Sequence, residues 1–187
     1  MYNNVGEMLG GLPPGSTTIR RELITAGQAF ANDGTLLSAF IGRGVKTLEI
    51  DPAENLPSLA SEVGVGTYTA FFGSQTATHV AHECGRASGI TAPNTFPHIP
   101  DLKDFLEGVN ILLADYGVLV LEAHYLVDLL EQGAFDTVYH EHVSYWALGP
   151  MVELFSRHGM QVVDVERLPL HHGQLRVFVR RAGQGTV

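Results

Sequence analysis

Apolar residues in this chain come in short pulses, separated by stretches whose apolar positions recur at helical spacing. The first pulse, residues 23–30, is weakly β-like, and Asn32-Asp33-Gly34 then opens a helix over 35–42 with Asp33 as its cap. A second strand over 45–50 ends in Asp51-Pro52, a helix covers 54–63, and a third strand covers 67–71. Residues 75–84 are helical and 87–92 form a short fourth strand. Pro100-Asp101 begins a helix over 101–113, and Tyr116-Gly117 reads as a turn. Val118-Leu119-Val120-Leu121-Glu122 is the clearest buried strand, followed by a helix over 125–132. An amphipathic helix over 150–158 stops at Gly159. Residues 161–166 and 175–179 are two strands near enough in sequence to pair antiparallel.

Strands alternating with helices predict an α/β fold built on a doubly wound, mostly parallel sheet, with the late pair as an antiparallel edge. Ligands of such sheets bind at the carboxyl ends of the strands, near the point where strand order reverses. That places Asn32-Asp33-Gly34, Asp51, Phe72-Gly73, the segment from Asn94 to His98 and the residues after Glu122 on one rim. The Gly- and Pro-rich residues 1–18 read as a loose leader, and 19–187 as one domain.

Composition narrows the partners. The formal net charge of -9, with no basic stripe, argues against binding along nucleic-acid phosphates. The Arg20-Arg21 and Arg180-Arg181 pairs read as solvated element ends. Cys84 is the single cysteine, which leaves no intrachain disulfide and reads as a small, buried or half-buried hydrophobe. With no long apolar run and no basic-then-apolar leader, the expectation is a cytoplasmic protein without a membrane segment.

The chemistry concentrates in Tyr139-His140-Glu141-His142, followed at once by Val143-Ser144-Tyr145-Trp146. Two histidines and a glutamate are costly to bury without partners, so this mixture points to an active-site loop rather than to packing. A metal site lacks a clearly spaced third ligand, unless His171-His172 supplies one. General acid–base work fits better, because a histidine titrates near neutrality and a carboxylate can orient it. Elsewhere the signals are two-sided. Asn32-Asp33-Gly34 is either a plain turn or one where the backbone approaches a ligand, and Asp51 either closes an Asp-Pro turn or accepts from ribose hydroxyls. His98 either caps its proline-rich turn or faces the rim with Asn94. Gly-x-Gly-x-x-Gly is absent from the first turn, which favours a nucleoside cofactor without a pyrophosphate.

Taken in order, these strings form a set: Asn32-Asp33-Gly34-Thr35-Leu36-Leu37, Ile50-Asp51-Pro52-Ala53, Phe71-Phe72-Gly73, and Asn94-Thr95-Phe96-Pro97-His98-Ile99-Pro100-Asp101-Leu102. Tyr139-His140-Glu141-His142-Val143-Ser144-Tyr145 and Arg167-Leu168-Pro169-Leu170-His171-His172-Gly173-Gln174-Leu175-Arg176-Val177 complete it. The chain resembles, over residues 31–181, the S-adenosylmethionine-dependent sugar C-methyltransferases that act on nucleotide-linked 4-keto-deoxysugars. The resemblance implies a Rossmann-like class I methyltransferase fold, S-adenosylmethionine as cofactor and a nucleotide-linked keto-deoxysugar as substrate. It also implies roles. His142 would be the base or its close partner, oriented by Glu141, while Tyr139 and His98 would hydrogen-bond the sugar or its developing enolate oxygen. Asn32, Asp33, Gly34 and Asp51 would hold the cofactor, with Phe72 and Asn94 beside them on the rim.

Relatives of this kind also carry an N-terminal cysteine-rich zinc module and a further C-terminal domain, which this chain is expected to lack. Apolar surface left by their absence predicts self-association. Gln28 and Phe30 stand where an acid and a glycine are usual, and His172 where the late motif has glycine. A second reading follows, of a non-catalytic binding module with an altered cofactor turn.

Overall fold

The computed structural model describes residues 22–26, 35–41, 43–53, 62 and 64–183. Strands β1 (Glu22–Ala26), β2 (Lys46–Asp51), β3 (Gly66–Thr69), β4 (Ala87–Pro93), β5 (Leu113–His124), β6 (Met160–Leu168) and β7 (Gln174–Arg181) form one sheet in the order β3-β2-β1-β4-β5-β7-β6. The first five run parallel; β7 is antiparallel to both β5 and β6. The chain lays down β2 and β3 on one side of β1, then returns to place β4 on the other. That reversal is the switch point at which such sheets bind ligands.

Five helices accompany the sheet among the described residues: α1 (Thr35–Ile41), α2 (Ser74–Cys84), α3 (Leu102–Leu112), α4 (Leu126–Gln132) and α5 (Leu148–Arg157). Strand β5 alternates with the period of two that a sheet imposes. Leu119, Leu121 and Ala123 enter the main core with Phe105, Val109, Met151 and Phe155, while Val118 and Val120 meet Phe178 on the opposite face. Asp101 caps α3 by accepting from the Asp104 N–H at 3.0 Å. Where α2 meets α3 the backbones nearly touch, because a Cβ on Gly108 would lie 2.8 Å from the carbonyl of Gly73. No helix among the described residues is long and apolar enough to cross a membrane.

The Val118–Val120 face of β5 changes character toward its carboxyl end. Cross-strand pairs run Val120–Phe178, Glu122–Arg176 and His124–Gln174, so an apolar pair gives way to an ion pair and then to a polar pair. Arg176 is buried and bridges two strands, reaching Glu122 on β5 at 2.7 Å and Glu166 on β6 at 2.9 Å. Burial opposes its charge, but hydrogen bonds and attraction from Glu122 and Glu166 outweigh that and raise its pKa.

Several expectations are corrected here. Tyr116 and Gly117 are not a turn but lie within β5, which begins at Leu113. Its register with β4 shifts between Ala87 and Gly89, so the irregularity sits inside the strand pairing. Cys84 is exposed at the end of α2, beside the exposed His82 and Glu83. Arg181 is not a solvated end: its guanidinium donates to the carbonyls of Asn110 and Leu113, closing the carboxyl end of α3. The leader, Arg20-Arg21 and nearly all of the helix expected over 54–63 lie outside the described residues.

Replacing Arg176 by methionine leaves two carboxylates without their shared cation. Loss of one partner from a buried ion pair costs roughly 3–5 kcal/mol. Urea unfolding of Arg176→Met at neutral pH is expected to show a loss of that order.

Candidate active site

Two sequence motifs far apart in the chain are one structure. The loop after β4 holds a short 3-10 turn, Phe96–His98, and the Pro97 carbonyl accepts from the Val143 and Ser144 N–H groups at 3.0 and 3.2 Å. In return the His98 Nδ1–H donates to the carbonyl of Glu141 at 2.8 Å. Trp146 packs on Phe96 with ring centres 5.1 Å apart, and its indole N–H donates to Ser144 Oγ. Backbone and side-chain contacts thus tie the Asn94–His98 segment to Tyr139–Trp146.

At this junction the His142 ring is buried. Its Nδ1 lies 2.8 Å from the Thr137 carbonyl, which can only accept, so that nitrogen carries the proton. The lone pair is therefore at Nε2, and the Tyr139 hydroxyl donates to it at 3.1 Å. The Tyr145 hydroxyl also donates to the Thr137 carbonyl. Burial, then the charge of Glu141, raises the Tyr139 pKa, so its phenol keeps the proton it donates. His98 and His124 flank His142, each with its ring centre 4.8 Å away, and His171 lies beyond His124 at 6.2 Å.

The flanking histidines are held uncharged. Burial is the first cause for His98, reinforced by His142 and opposed by the Glu141 carbonyl. Burial pushes His124 down to about 4, helped by His142, His171, His98 and His172. The arrangement can hold a proton-accepting nitrogen beside a phenol donor, with neutral rings around it.

The expected residues fall into three groups. His98, Tyr139 and His142 come together. The Glu141 carboxylate is not the group that orients His142: Thr137 and Tyr139 make those bonds, while the carboxylate lies 3.9 Å from His140. Asp51 ends β2 with its carboxylate buried; Oδ1 accepts from the Ala53 N–H at 2.8 Å, and Oδ2 has no hydrogen-bond partner among the described residues. Asn94 has a left-handed backbone, φ 53°, and its side-chain oxygen accepts from Gln174. Phe72 turns its ring into the core against Phe105, because Phe71, not Phe72, is the side chain left exposed. Asn32, Asp33 and Gly34, with Gln28 and Phe30, lie outside the described residues.

Thr137 was not named in the sequence, His124 only as one of the residues after Glu122, and Gln174 only within the late motif. His124 follows Glu122 on the strand best marked by its apolar run, which was the available signal. Thr137 acts through its backbone carbonyl, so its identity carries no signal at all. His172, where the late motif has glycine, has φ 64°, the left-handed region glycine enters without cost. Gln132 holds its carbonyl at 2.9 Å.

A histidine whose folded pKa is depressed leaves the unfolded chain binding more protons between the two pKa values, so stability falls as pH drops through that window. For His124 the window runs from 6.5 down to about 4. The urea midpoint is expected to fall between pH 6.5 and 4.5, and to fall less in His124→Phe.

No family model matches the chain. It is 40% identical over 152 residues to the C-methyltransferase NovU of Streptomyces niveus, a match covering 81% of this chain and 36% of that relative's length. Among solved structures, the 1,6-didemethyltoxoflavin-N1-methyltransferase of Burkholderia thailandensis, with 1,6-didemethyltoxoflavin and S-adenosylhomocysteine bound, superimposes at a TM-score of 0.66. It is 19% identical, over 96% of this chain and 75% of that one. A SAM-dependent methyltransferase from Anabaena variabilis gives 0.65 at 14% identity, over 96% and 82%. A pericyclic reaction enzyme gives 0.67 at 12% identity, over 95% and 46%. The structures bear on the fold alone, which this chain shares with S-adenosylmethionine-dependent methyltransferases, while in sequence it is similar to a C-methyltransferase of which it spans about a third of the length.

Proposed function

We propose that this chain carries the catalytic core of a C-methyltransferase that methylates the carbon beside the ketone of a nucleotide-linked deoxysugar. The observation that carries the reading is the His142 Nε2 lone pair facing the Tyr139 hydroxyl, with His98 beside it. Methyl transfer to oxygen or nitrogen does not require a carbon-bound proton to be removed, whereas transfer to carbon beside a ketone does.

Bound S-adenosylmethionine would supply an electrophilic methyl group. The buried Asp51 Oδ2 at the end of β2, without a hydrogen-bond partner among the described residues, fits a ligand hydroxyl, as expected for an acid at that position. On the substrate side, the proton leaves carbon and its electron pair moves onto the ketone oxygen. His142 Nε2 receives that proton directly or through Tyr139, and the Nδ1–H bond to the Thr137 carbonyl steadies the imidazolium formed. His98, whose Nδ1–H is donated to the Glu141 carbonyl, would offer the sugar an Nε2 lone pair that can accept from a hydroxyl.

The reading extends to self-association. Its support is the exposed apolar set Leu130, Phe135, Val138 and Val143 around the site loop. Sedimentation is expected to show a species heavier than the 20.2 kDa chain.

The test of function uses S-adenosylmethionine and a nucleotide-linked 4-keto-deoxysugar. Proton washout at the carbon beside the ketone in deuterated water, followed by NMR, reports deprotonation without methyl transfer. His142→Asn is expected to slow washout and methylation together by about 10²–10⁴-fold, the usual worth of a general base. Asp51→Ala is expected to weaken cofactor binding by about tenfold, the loss of one good hydrogen bond. Cofactor binding without washout or turnover would replace this reading by that of a binding module.

A further inference from the structure

His124 is the last residue of β5 and lies opposite Gln174 in the sheet. No role has so far been given to it. Its ring lies 4.8 Å from that of His142, inclined by 57°, and its Nδ1 is buried with no hydrogen-bond partner among the described residues. A neutral imidazole tolerates a bare lone pair at Nδ1 better than an imidazolium tolerates a buried N–H with nothing to accept it. The groups around it reinforce that preference. His142, His98, His171 and His172 are the titratable neighbours that act on it, and each would repel a second positive charge. His124 is therefore a poor station for a proton.

What the hydrogen bonds of His142 control least is the tilt of its plane. Its two hydrogen bonds, to the Thr137 carbonyl and from the Tyr139 hydroxyl, both lie along ring nitrogens. Bonds at Nδ1 and Nε2 fix the rotation of the ring within its own plane. They restrain least a tilt about the line joining the two partners, and besides the bond to Cβ it is contacts with neighbouring rings that oppose it. Tyr139, with its ring centre 4.2 Å away, and His124 and His98, at 4.8 Å each and inclined by 57° and 50°, supply such contacts. His98 is itself tied to the Glu141 carbonyl, and His124 is anchored in the sheet.

We propose that His124 is a positioning residue: its ring, through packing rather than proton transfer, sets the plane of His142 and so aims the Nε2 lone pair. The proposal rests on the reading of His142 as proton acceptor. It separates the ring from the nitrogens. Phenylalanine at 124 keeps the ring, glutamine keeps a hydrogen-bonding side chain without it, and alanine keeps neither.

The primary readout needs no turnover. In protein labelled with ¹⁵N at histidine, wild type is expected to show His142 protonated at Nδ1, with a slowly exchanging proton held by the Thr137 carbonyl. His124→Phe is expected to retain that signature, and His124→Gln and His124→Ala to lose it through averaging or fast exchange. With S-adenosylmethionine and the ketosugar, kcat is expected to fall about 10- to 100-fold in the glutamine and alanine variants, with KM little changed, as for a misplaced catalytic group. Phenylalanine should restore kcat to within about threefold of wild type on the same ground. Should alanine fail to fold, glutamine against phenylalanine decides the matter. An intact His142 signature in the glutamine variant, or a phenylalanine variant as slow as glutamine, overturns the proposal and makes the nitrogens of His124 the working part. If wild type methylates no ketosugar, the functional reading fails, while the ¹⁵N comparison still decides the role of His124.

Discussion

The buried guanidinium of Arg176, held between Glu122 and Glu166, is the constraint on which the site depends. It joins β5, β7 and β6 at one level of the sheet, and only one register satisfies all three groups. A slip of one residue would turn Arg176 to the other face and leave two carboxylates without a cation. With that register held, His124 emerges two residues beyond Glu122, and Gln174 lies two before Arg176, where it meets Asn94. Chain ends from β4, β5 and β7 therefore converge at one rim.

From that rim outward the contacts are a relay of fastenings. The segment after His124 is held by the Tyr125 N–H donating to the Gly173 carbonyl and by the Leu126 N–H donating to that of Trp146. Gly173 cannot be another residue here: φ is 105°, and a Cβ would lie 2.1 Å from Asp128. Asp128, nearly buried, is in turn paired with Arg167. The loop bearing Tyr139 and His142 thus rests on a scaffold of backbone hydrogen bonds and one partly exposed ion pair.

The fold itself leaves the chemistry open. An N-methyltransferase, a pericyclic reaction enzyme and this chain superimpose at TM-scores of 0.66 and 0.67 despite identities of 19% and 12%. In this molecule the chemistry gathers in the loops after β4 and α4 and at the end of β5: a cluster of imidazoles in which surroundings favour the neutral form of two rings beside a third that has its lone pair turned toward a phenol.

The sequence by itself determined the alternation of strands and helices, the antiparallel edge, and which motifs carry chemistry. Those features follow from local periodicity, from capping residues such as Asp101, and from residue types too costly to bury idle. Where it misread, the cause was tertiary. Tyr116 and Gly117 look like a turn until β4 supplies a partner for the strand that contains them. Arg181 looks solvated until the end of α3 presents carbonyls to it, and Phe72 looks like a rim residue until Phe105 covers it. Glu141 looks like the partner of His142 because it is adjacent in sequence, but neighbours in a loop point in different directions, and the Thr137 carbonyl takes that place. Only the tertiary structure decided which nitrogen of His142 holds the proton and which rings surround it. Those depend on atoms brought together from the loops after β4 and α4 and from the end of β5, and on a backbone carbonyl whose side chain leaves no mark in the sequence.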